Sequence, residues 1–310
     1  MSAEKNGLRI AAGTALVALL LLMASSNGFF RQEAPSEPRS LPIAVIDSSR
    51  MVQMREGTVS ALVCLYRDGE SPPDGRGGLL SLYWLSISGG DAEMVNIPSG
   101  TRMLVEDTSG QFVYSTPEKA FWLGREETNP WRRMTQGAKA LFCEVDTPYV
   151  AAMEAEAFIR AIDAMGGLFV RRDTFSLSAG GIEREDAPRG RSLLLSGRRV
   201  MQYISSDAGG TDVGALDRQN HVAAVFFETL FQREGGEEDV FAWLEECGGD
   251  GFYHDVGELE QKAIAEALAQ KTPYARTLPG DERRIEDQSW LPNRGKIKEY
   301  ILDRYYALPN

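Results

Sequence analysis

Cysteine and histidine are scarce in this chain of 310 residues, which contains three cysteines and two histidines. Cys64, Cys143 and Cys247 lie far apart, form no CxxC pair and have apolar neighbours. We expect buried free thiols, with one disulfide and one thiol as the alternative for an exported domain. His221 and His254 lack a partner at metal-ligand spacing, so neither a cysteine- or histidine-bound metal nor a Ser-His-Asp or Cys-His catalytic arrangement is expected.

Positive charge is also in deficit, since 33 Lys and Arg face 45 Asp and Glu and give a net charge of −12. A nucleic-acid-binding protein needs a basic face to neutralise phosphates, so we expect no nucleic-acid partner. The same excess of carboxylates disfavours tight adhesion to anionic lipid headgroups. Repeats and low-complexity tracts are absent, and 43% of the residues are hydrophobic, which is typical of a globular domain.

One hydrophobic run is long enough to cross a bilayer, from Ile10 to Phe30. Because Lys5 and Arg9 precede it, we expect a signal anchor in the cell membrane, with the main domain extracytoplasmic. A signal peptide cleaved near Ala24-Ser25-Ser26 is the alternative. The expected organisation is a cytoplasmic tip and anchor over 1–31, a linker over 32–58 and an extracytoplasmic domain over 59–310.

Strand and helix patterns alternate through that domain. Buried strands are predicted at Val59–Tyr66 and Leu79–Ser88, a short strand at Val95–Pro98, a strand pair at Arg102–Val105 and Gln111–Tyr114, and a further strand at Tyr149–Met153. Helices are predicted at Glu154–Met165, ended by Gly166-Gly167, at Gly257–Gln270 with Leu259, Ile264 and Leu268 on its apolar face, and at Lys296–Tyr306. Phe121–Gln136 is predicted as a solvated loop with one buried tryptophan. This alternation predicts an α/β fold with a mixed β-sheet flanked by helices on both faces.

The most informative stretch is Leu193–Phe231. Val200–Ile204 is predicted as a strand-like element because it is rich in β-branched and aromatic side chains, and Asp207–Gly214 as a loop. Apolar residues then recur at helical spacing from Asp217 onward. This interpretation places Arg218 and Gln219 in the first helical turn, where backbone N–H groups favour an anion such as phosphate.

The order of these pieces resembles the LytR-CpsA-Psr family, which transfers glycopolymers from polyprenyl-pyrophosphate carriers onto the bacterial wall. Seven residues can be laid on the family's pattern: Leu195, Gly197, Val200, Tyr203, Asp212, Arg218 and Gln219. Ser205 and Asp207 stand where the family has two arginines. Phe158–Val170 resembles the family's helix that ends in Gly-Gly before a strand.

The resemblance also implies a divalent metal held by two aspartates, and here both positions are changed. Ser99-Gly100 replaces the Arg-Asp of the motif Ile-Pro-Arg-Asp-Thr, and the other Asp-Thr falls near Leu80-Ser81. Magnesium prefers hard, charged oxygen ligands, and none of these residues supplies a carboxylate, so we expect no metal cofactor, although Mg²⁺ is expected for the family. Asp68, Asp74 and Arg102 are nearby substitutes, and Arg76 is a shifted counterpart of the family's arginine.

The resemblance thus implies a phosphate-binding set of Arg218, Gln219, Arg76 and Asp212. Arg218 is expected to contact the head group, and a structural salt bridge from Arg218 to Asp212 or Asp217 is the alternative. We expect a membrane-anchored envelope protein that binds a polyprenyl-phosphate-linked glycopolymer or wall polymer, with its catalytic motifs largely lost. Two alternatives stay open: an active phosphotransferase that attaches glycopolymers to the cell wall, and a non-catalytic scaffold for protein contacts.

Overall fold

The computed structural model describes residues 53–54, 58–67, 78–125, 127, 129–171, 192–205, 213–233, 240–283 and 289–307. The strands are β1 (Gln53–Met54), β2 (Val59–Tyr66), β3 (Leu79–Ser88), β4 (Asp91–Asn96), β5 (Met103–Glu106), β6 (Phe112–Ser115), β7 (Tyr149–Glu154), β8 (Leu168–Arg171), β9 (Ser192–Leu195), β10 (Phe252–His254), β11 (Tyr274–Thr277), β12 (Gly280–Arg283), β13 (Ser289–Pro292) and β14 (Tyr306–Ala307). The helices are α1 (Pro117–Gly124), α2 (Arg132–Leu141), α3 (Ala155–Ala164), α4 (Gly197–Ser205), α5 (Val213–Gln232), α6 (Val240–Gly248), α7 (Glu258–Gln270) and α8 (Arg294–Tyr305).

A six-stranded mixed sheet with the order β10-β7-β2-β3-β4-β11 forms the centre of the domain. The pairs β7/β2 and β4/β11 are parallel, and the other three are antiparallel. Two-stranded antiparallel pairs surround it: β5/β6, β8/β9, β12/β13, and β1 with β14. The buried strands β2 and β3 have the predicted bounds, and the predicted strand pair forms as β5 and β6.

Helices cover both faces of the sheet. Since successive side chains of a strand point to opposite faces, each strand contributes to the cores on both sides. Leu62 and Trp84 pack in one core with residues of α1, α2 and α8. On the other face, Leu65 packs with α3 to α6, and Tyr83 and Leu85 pack with residues of α7. The predicted α/β fold, a mixed sheet with helices on both faces, is confirmed. Within the described residues no helix is long and apolar enough to cross a membrane, and the run Ile10–Phe30 lies outside them.

Two predictions for the stretch Leu193–Phe231 are wrong. Residues 200–204 belong to helix α4, because Val200, Met201, Tyr203 and Ile204 share a buried face at helical spacing, and this pattern outweighs their β propensity. The following helix begins at Val213 rather than Asp217, since Ala215 and Leu216 are buried and extend its packed face.

The stretch predicted as a solvated loop instead contains α1 and α2. Its start signals were present in the sequence: Thr116 caps α1 by accepting a hydrogen bond from the Lys119 backbone N–H, and Pro117 follows the cap. Trp131 is buried, as expected for one tryptophan of this stretch. In α7, Ile264 and Leu268 are buried, but Leu259 is 81% exposed and does not belong to the apolar face.

Candidate functional site

An apolar cavity of about 120 Å³ lies between the sheet and helices α5, α6 and α7. Its walls are formed on one side by β2, β3 and β7 and on the other by phenylalanines and leucines of the three helices, including Phe227, Leu230 and Phe231. Three alanines also line it, Ala61, Ala151 and Ala223, and their short side chains leave the space unfilled. The cavity is similar in size to an engineered apolar cavity of roughly 150 Å³ that stays dry and binds benzene.

The lining runs along α5 from Gln219 to Phe231. At 1.5 Å per residue, these twelve steps correspond to about 18 Å along the helix axis. The lining is polar near the start, where Gln219, Ser81 and Tyr83 contribute, and apolar toward Phe231. The lining thus changes along α5 from a polar end near Gln219 to an apolar end near Phe231.

A network of amide side chains holds the polar end together. Gln219 donates from Nε2 to the Leu80 carbonyl oxygen at 3.1 Å and accepts at Oε1 from Asn96 Nδ2 at 3.2 Å. Asn96 Nδ2 also lies 3.0 Å from Asn220 Oδ1, and Asn220 Nδ2 donates to Thr277 Oγ1 at 3.1 Å. Asn96 is the last residue of β4, and nothing in the sequence around it indicated a functional role. The network fixes α5 against β3, β4 and β11.

Arg218 occupies a different place from the one predicted. It is the sixth residue of α5, so it lies in the second turn and not beside the helix N-terminal amides. Its side chain is buried, and Nε donates to the Tyr203 carbonyl oxygen at 2.9 Å. Arg218 therefore joins α5 to the last turn of α4, and Gln219, next to it, faces the cavity.

The other two residues of the predicted phosphate set, Arg76 and Asp212, lie outside the described residues, as do Asp68 and Asp74. The sequence reasoning missed a further cation, Arg67, which follows β2 and is exposed. Its Nη2 atom lies 3.5 Å from Ser205 Oγ, at the end of α4. In the sequence, Arg67 is marked only by directly following the strand Val59–Tyr66. The structure shows that Leu65, two residues earlier, lines the cavity.

The positions where the resemblance places metal-binding aspartates do not offer a ligand set for magnesium. Leu80 and Ser81 lie in β3, and Ser99 and Gly100 lie in the loop after β4, so none supplies a carboxylate. Within the described parts of the chain, no group of three His, Cys, Asp or Glu side chains could hold a metal ion. The donor set that the structure describes there does not fit a hard divalent cation.

A carboxylate from α1 links these two segments instead. Glu118 accepts hydrogen bonds from the Gly78 and Leu79 backbone N–H groups at 2.8 and 3.1 Å and from Trp122 Nε1 at 3.0 Å. Its own N–H donates to the Ser99 carbonyl oxygen at 3.4 Å. Glu118 thereby joins the start of β3 to the loop after β4, which the sequence reasoning did not anticipate because the contact spans about 40 residues.

The few cysteines and histidines of the chain lie in or next to helices and strands. All three cysteines are free, as expected, but only Cys64 is fully buried, and burial raises the pKa of its thiol well above the usual range. Burial also raises the pKa of the half-buried Cys143 thiol. His254 Nε2 lies 3.0 Å from a Glu245 carboxylate oxygen, and His221 lies within α5.

Solved structures share this architecture at low sequence identity. TagV from B. subtilis is 16% identical with a TM-score of 0.58, and the match covers 81% of this chain and 98% of TagV. TagT bound to LI-WTA is 13% identical with a TM-score of 0.59, over 80% of this chain and 90% of TagT. Both are LytR-CpsA-Psr structures. The chain has the LytR-CpsA-Psr fold.

The LytR-CpsA-Psr fold also relates the chain to Lin1025 from Listeria innocua, which is 18% identical with a TM-score of 0.52, over 79% of this chain and 96% of Lin1025. No protein-family model and no curated protein sequence matches the chain. The predicted resemblance is thus confirmed at the level of the fold.

Proposed function

We propose that this LytR-CpsA-Psr-fold protein binds a polyprenyl-phosphate-linked glycopolymer, with the isoprene units nearest the phosphate in the apolar cavity and the phosphate at its polar end. The observation that carries the proposal is the apolar cavity between the sheet and α5 to α7, whose lining is polar at one end and apolar at the other. An isoprenoid tail is a flexible chain of apolar groups, so it fits a narrow apolar cavity better than a rigid polar ligand does.

The packing around the cavity supports a ligand. Side chains that line unfilled apolar space lack the contacts that a filled core would provide, which lowers stability. A protein that kept the fold for surface contacts alone would gain stability by replacing the lining alanines with larger residues. The cavity therefore favours ligand binding over the scaffold alternative.

The polar end supports binding more than it supports transfer of a phosphoryl group. Stabilising such a transfer takes several converging cations or a metal. The described positions that the resemblance assigns to metal-binding aspartates carry Leu80, Ser81, Ser99 and Gly100, and Ser205 stands where an arginine is expected. We therefore propose a binding protein with its catalytic motifs largely lost, and an active phosphotransferase is the second candidate.

The proposal includes the predicted anchor. If Ile10–Phe30 spans the cell membrane and the domain is extracytoplasmic, the cavity lies on the side of the membrane where wall polymers are attached. Alkaline carbonate should then leave the native protein in the membrane fraction, whereas release by carbonate would contradict a retained anchor.

Equilibrium binding of radiolabelled polyprenyl phosphate to the full chain in detergent tests the ligand. We expect saturable binding that unlabelled polyprenyl phosphate displaces, and weaker binding of a single-chain alkyl phosphate with a short tail. Binding that does not saturate, or that is equal for long and short tails, would contradict a role for the cavity. Transfer of a labelled glycopolymer to wall acceptors by the purified protein would favour the phosphotransferase.

A further inference from the structure

We infer that Arg67 is the residue that contacts the phosphate at the polar end of the cavity, in place of the arginines that the LytR-CpsA-Psr pattern has at Ser205 and Asp207. This inference rests on the proposed function, and it assigns a residue that the sequence pattern did not single out.

Arg67 lies on the cavity side of the sheet. Ala61, Val63 and Leu65 of β2 line the cavity together with Cys64, whereas Leu62, Cys64 and Tyr66 pack in the core on the other face. Arg67 continues this alternation just past the strand, where its backbone N–H donates to the Gly78 carbonyl oxygen at 2.7 Å. Its side chain reaches the last turn of α4, beside Ile204, which also lines the cavity. The guanidinium therefore lies at the end where the polar lining is found.

Arg67 also lies beside a position of α4 where an arginine is expected. The resemblance places an arginine at residue 205, and this chain has a serine there. Arg67 Nη2 lies within 3.5 Å of Ser205 Oγ, so a guanidinium from β2 occupies the space beside the position that has lost one. A positive charge is therefore still present beside residue 205, but it comes from the end of β2 and not from α4.

Arg67 is also more accessible to a ligand than Arg218 is. Arg218 is buried and its Nε donates to the Tyr203 carbonyl oxygen, so part of its hydrogen-bonding capacity holds α4 to α5. Arg67 is exposed, and no ion pair joins it to any of the residues that the structure describes. In a chain with 45 carboxylates, an arginine without such a pair at the end of an apolar cavity is suited to an external anion. A guanidinium binds phosphate oxygens with two parallel hydrogen bonds, which gives affinity and orientation together.

The test compares polyprenyl phosphate with the matching polyprenol, which has the same tail and no phosphate. We expect the unmodified full chain to prefer the phosphate. Arg67→Ala should weaken phosphate binding about tenfold, which corresponds to roughly 1.4 kcal/mol, and leave polyprenol binding unchanged. Arg67→Lys should lose part of the preference because it keeps the charge but not the paired geometry.

Two further variants separate a phosphate contact from a structural role. Arg67→Ala combined with Ser205→Arg should restore the phosphate preference, because the new arginine starts from the other wall and enters the same space. Arg198→Ala is the matched control, since Arg198 is an exposed arginine at the opposite end of α4. It should leave binding of both lipids unchanged.

The outcomes distinguish the inference from the proposed function. If the unmodified chain binds neither lipid, the proposed function fails. If it prefers the phosphate and Arg67→Ala keeps that preference, or loses both lipids equally, the assignment of Arg67 is wrong while the cavity stands. Inorganic phosphate probes a headgroup without a tail: failure to displace the labelled lipid supports a lipid ligand, and displacement at equal concentration overturns it.

Discussion

Filling the cavity with a larger side chain tests whether the cavity is a binding site or a packing defect. Ala223 lies on α5 and lines the cavity, and Ala223→Leu adds three carbon atoms to that wall. At about 0.8 kcal/mol per buried methylene, and after a deduction for strain, leucine should recover roughly 1–2 kcal/mol. Leucine is also nearly as good a helix former as alanine, so propensity does not oppose the gain.

We expect Ala223→Leu to raise the thermal midpoint by roughly 2–6 °C and to weaken polyprenyl phosphate binding at the same time. Differential scanning calorimetry and equilibrium lipid binding on the same preparation measure the two effects. Ala224→Leu is the matched control, because Ala224 is also partly buried on α5 and is not part of the cavity lining. A variant that binds the lipid as before, or that is destabilised by more than the control, would refute the reasoning from an unfilled cavity.

Three other perturbations follow from the polar end. Arg218→Ala should lower both lipid-phosphate binding and stability, the latter by about 1–3 kcal/mol, because the buried Tyr203 carbonyl loses its donor; an unchanged denaturation midpoint would contradict the observed contact. Glu118→Gln should lower the thermal midpoint, because an amide provides only one oxygen for three N–H donors, and unaltered stability would show that this link contributes nothing. Calorimetric titration of the apo protein with Mg²⁺ should show no one-site isotherm in the micromolar range; a clear isotherm would direct attention to Asp68, Asp74 and Asp212.

The sequence was sufficient for β2 and β3 because these strands are buried on both faces, whereas β4 spans Asp91–Asn96 instead of the predicted Val95–Pro98, and β10 and β11 were not predicted. Val59–Tyr66 and Leu79–Ser88 are continuous apolar runs of strand length, and such runs leave little choice of structure. The helix before Gly166-Gly167 was also predictable, since both glycines adopt the positive φ that ends a helix, 82° and 102°. Local signals and tertiary packing agree in these segments.

Prediction failed where tertiary packing outweighs local preference. Val200–Ile204 has β-branched and aromatic side chains, yet it belongs to α4, whose start packs closely on α3, since a Cβ at Gly197 would lie 2.4 Å from the Ile159 carbonyl oxygen. That approach is invisible in the sequence. The same is true of Glu118 and Arg67, whose contacts join segments about 40 and 138 residues apart.

The sequence drew attention to the segment that contains the cavity, but it did not predict the geometry there. Gln219, which the resemblance assigns to phosphate binding, lines the cavity, and Arg218 is its neighbour. The error of four residues in the start of α5 placed Arg218 among free amides, whereas the helix begins at Val213 and puts it one turn further in. Helix boundaries are the least reliable part of pattern analysis, and here the boundary decides which helical turn contains Arg218.

Photo-crosslinking tests the central claim most directly. A polyprenyl phosphate with a diazirine a few isoprene units from the phosphate is bound to the full chain and irradiated, and the labelled peptides are identified by mass spectrometry. The account predicts labelling at the apolar end of the cavity, on Phe231, Phe241 or Leu268, and its loss when unlabelled lipid is added in excess. Labelling confined to exposed apolar residues such as Phe112, Phe169 or Leu194, with none on the cavity walls, would contradict it.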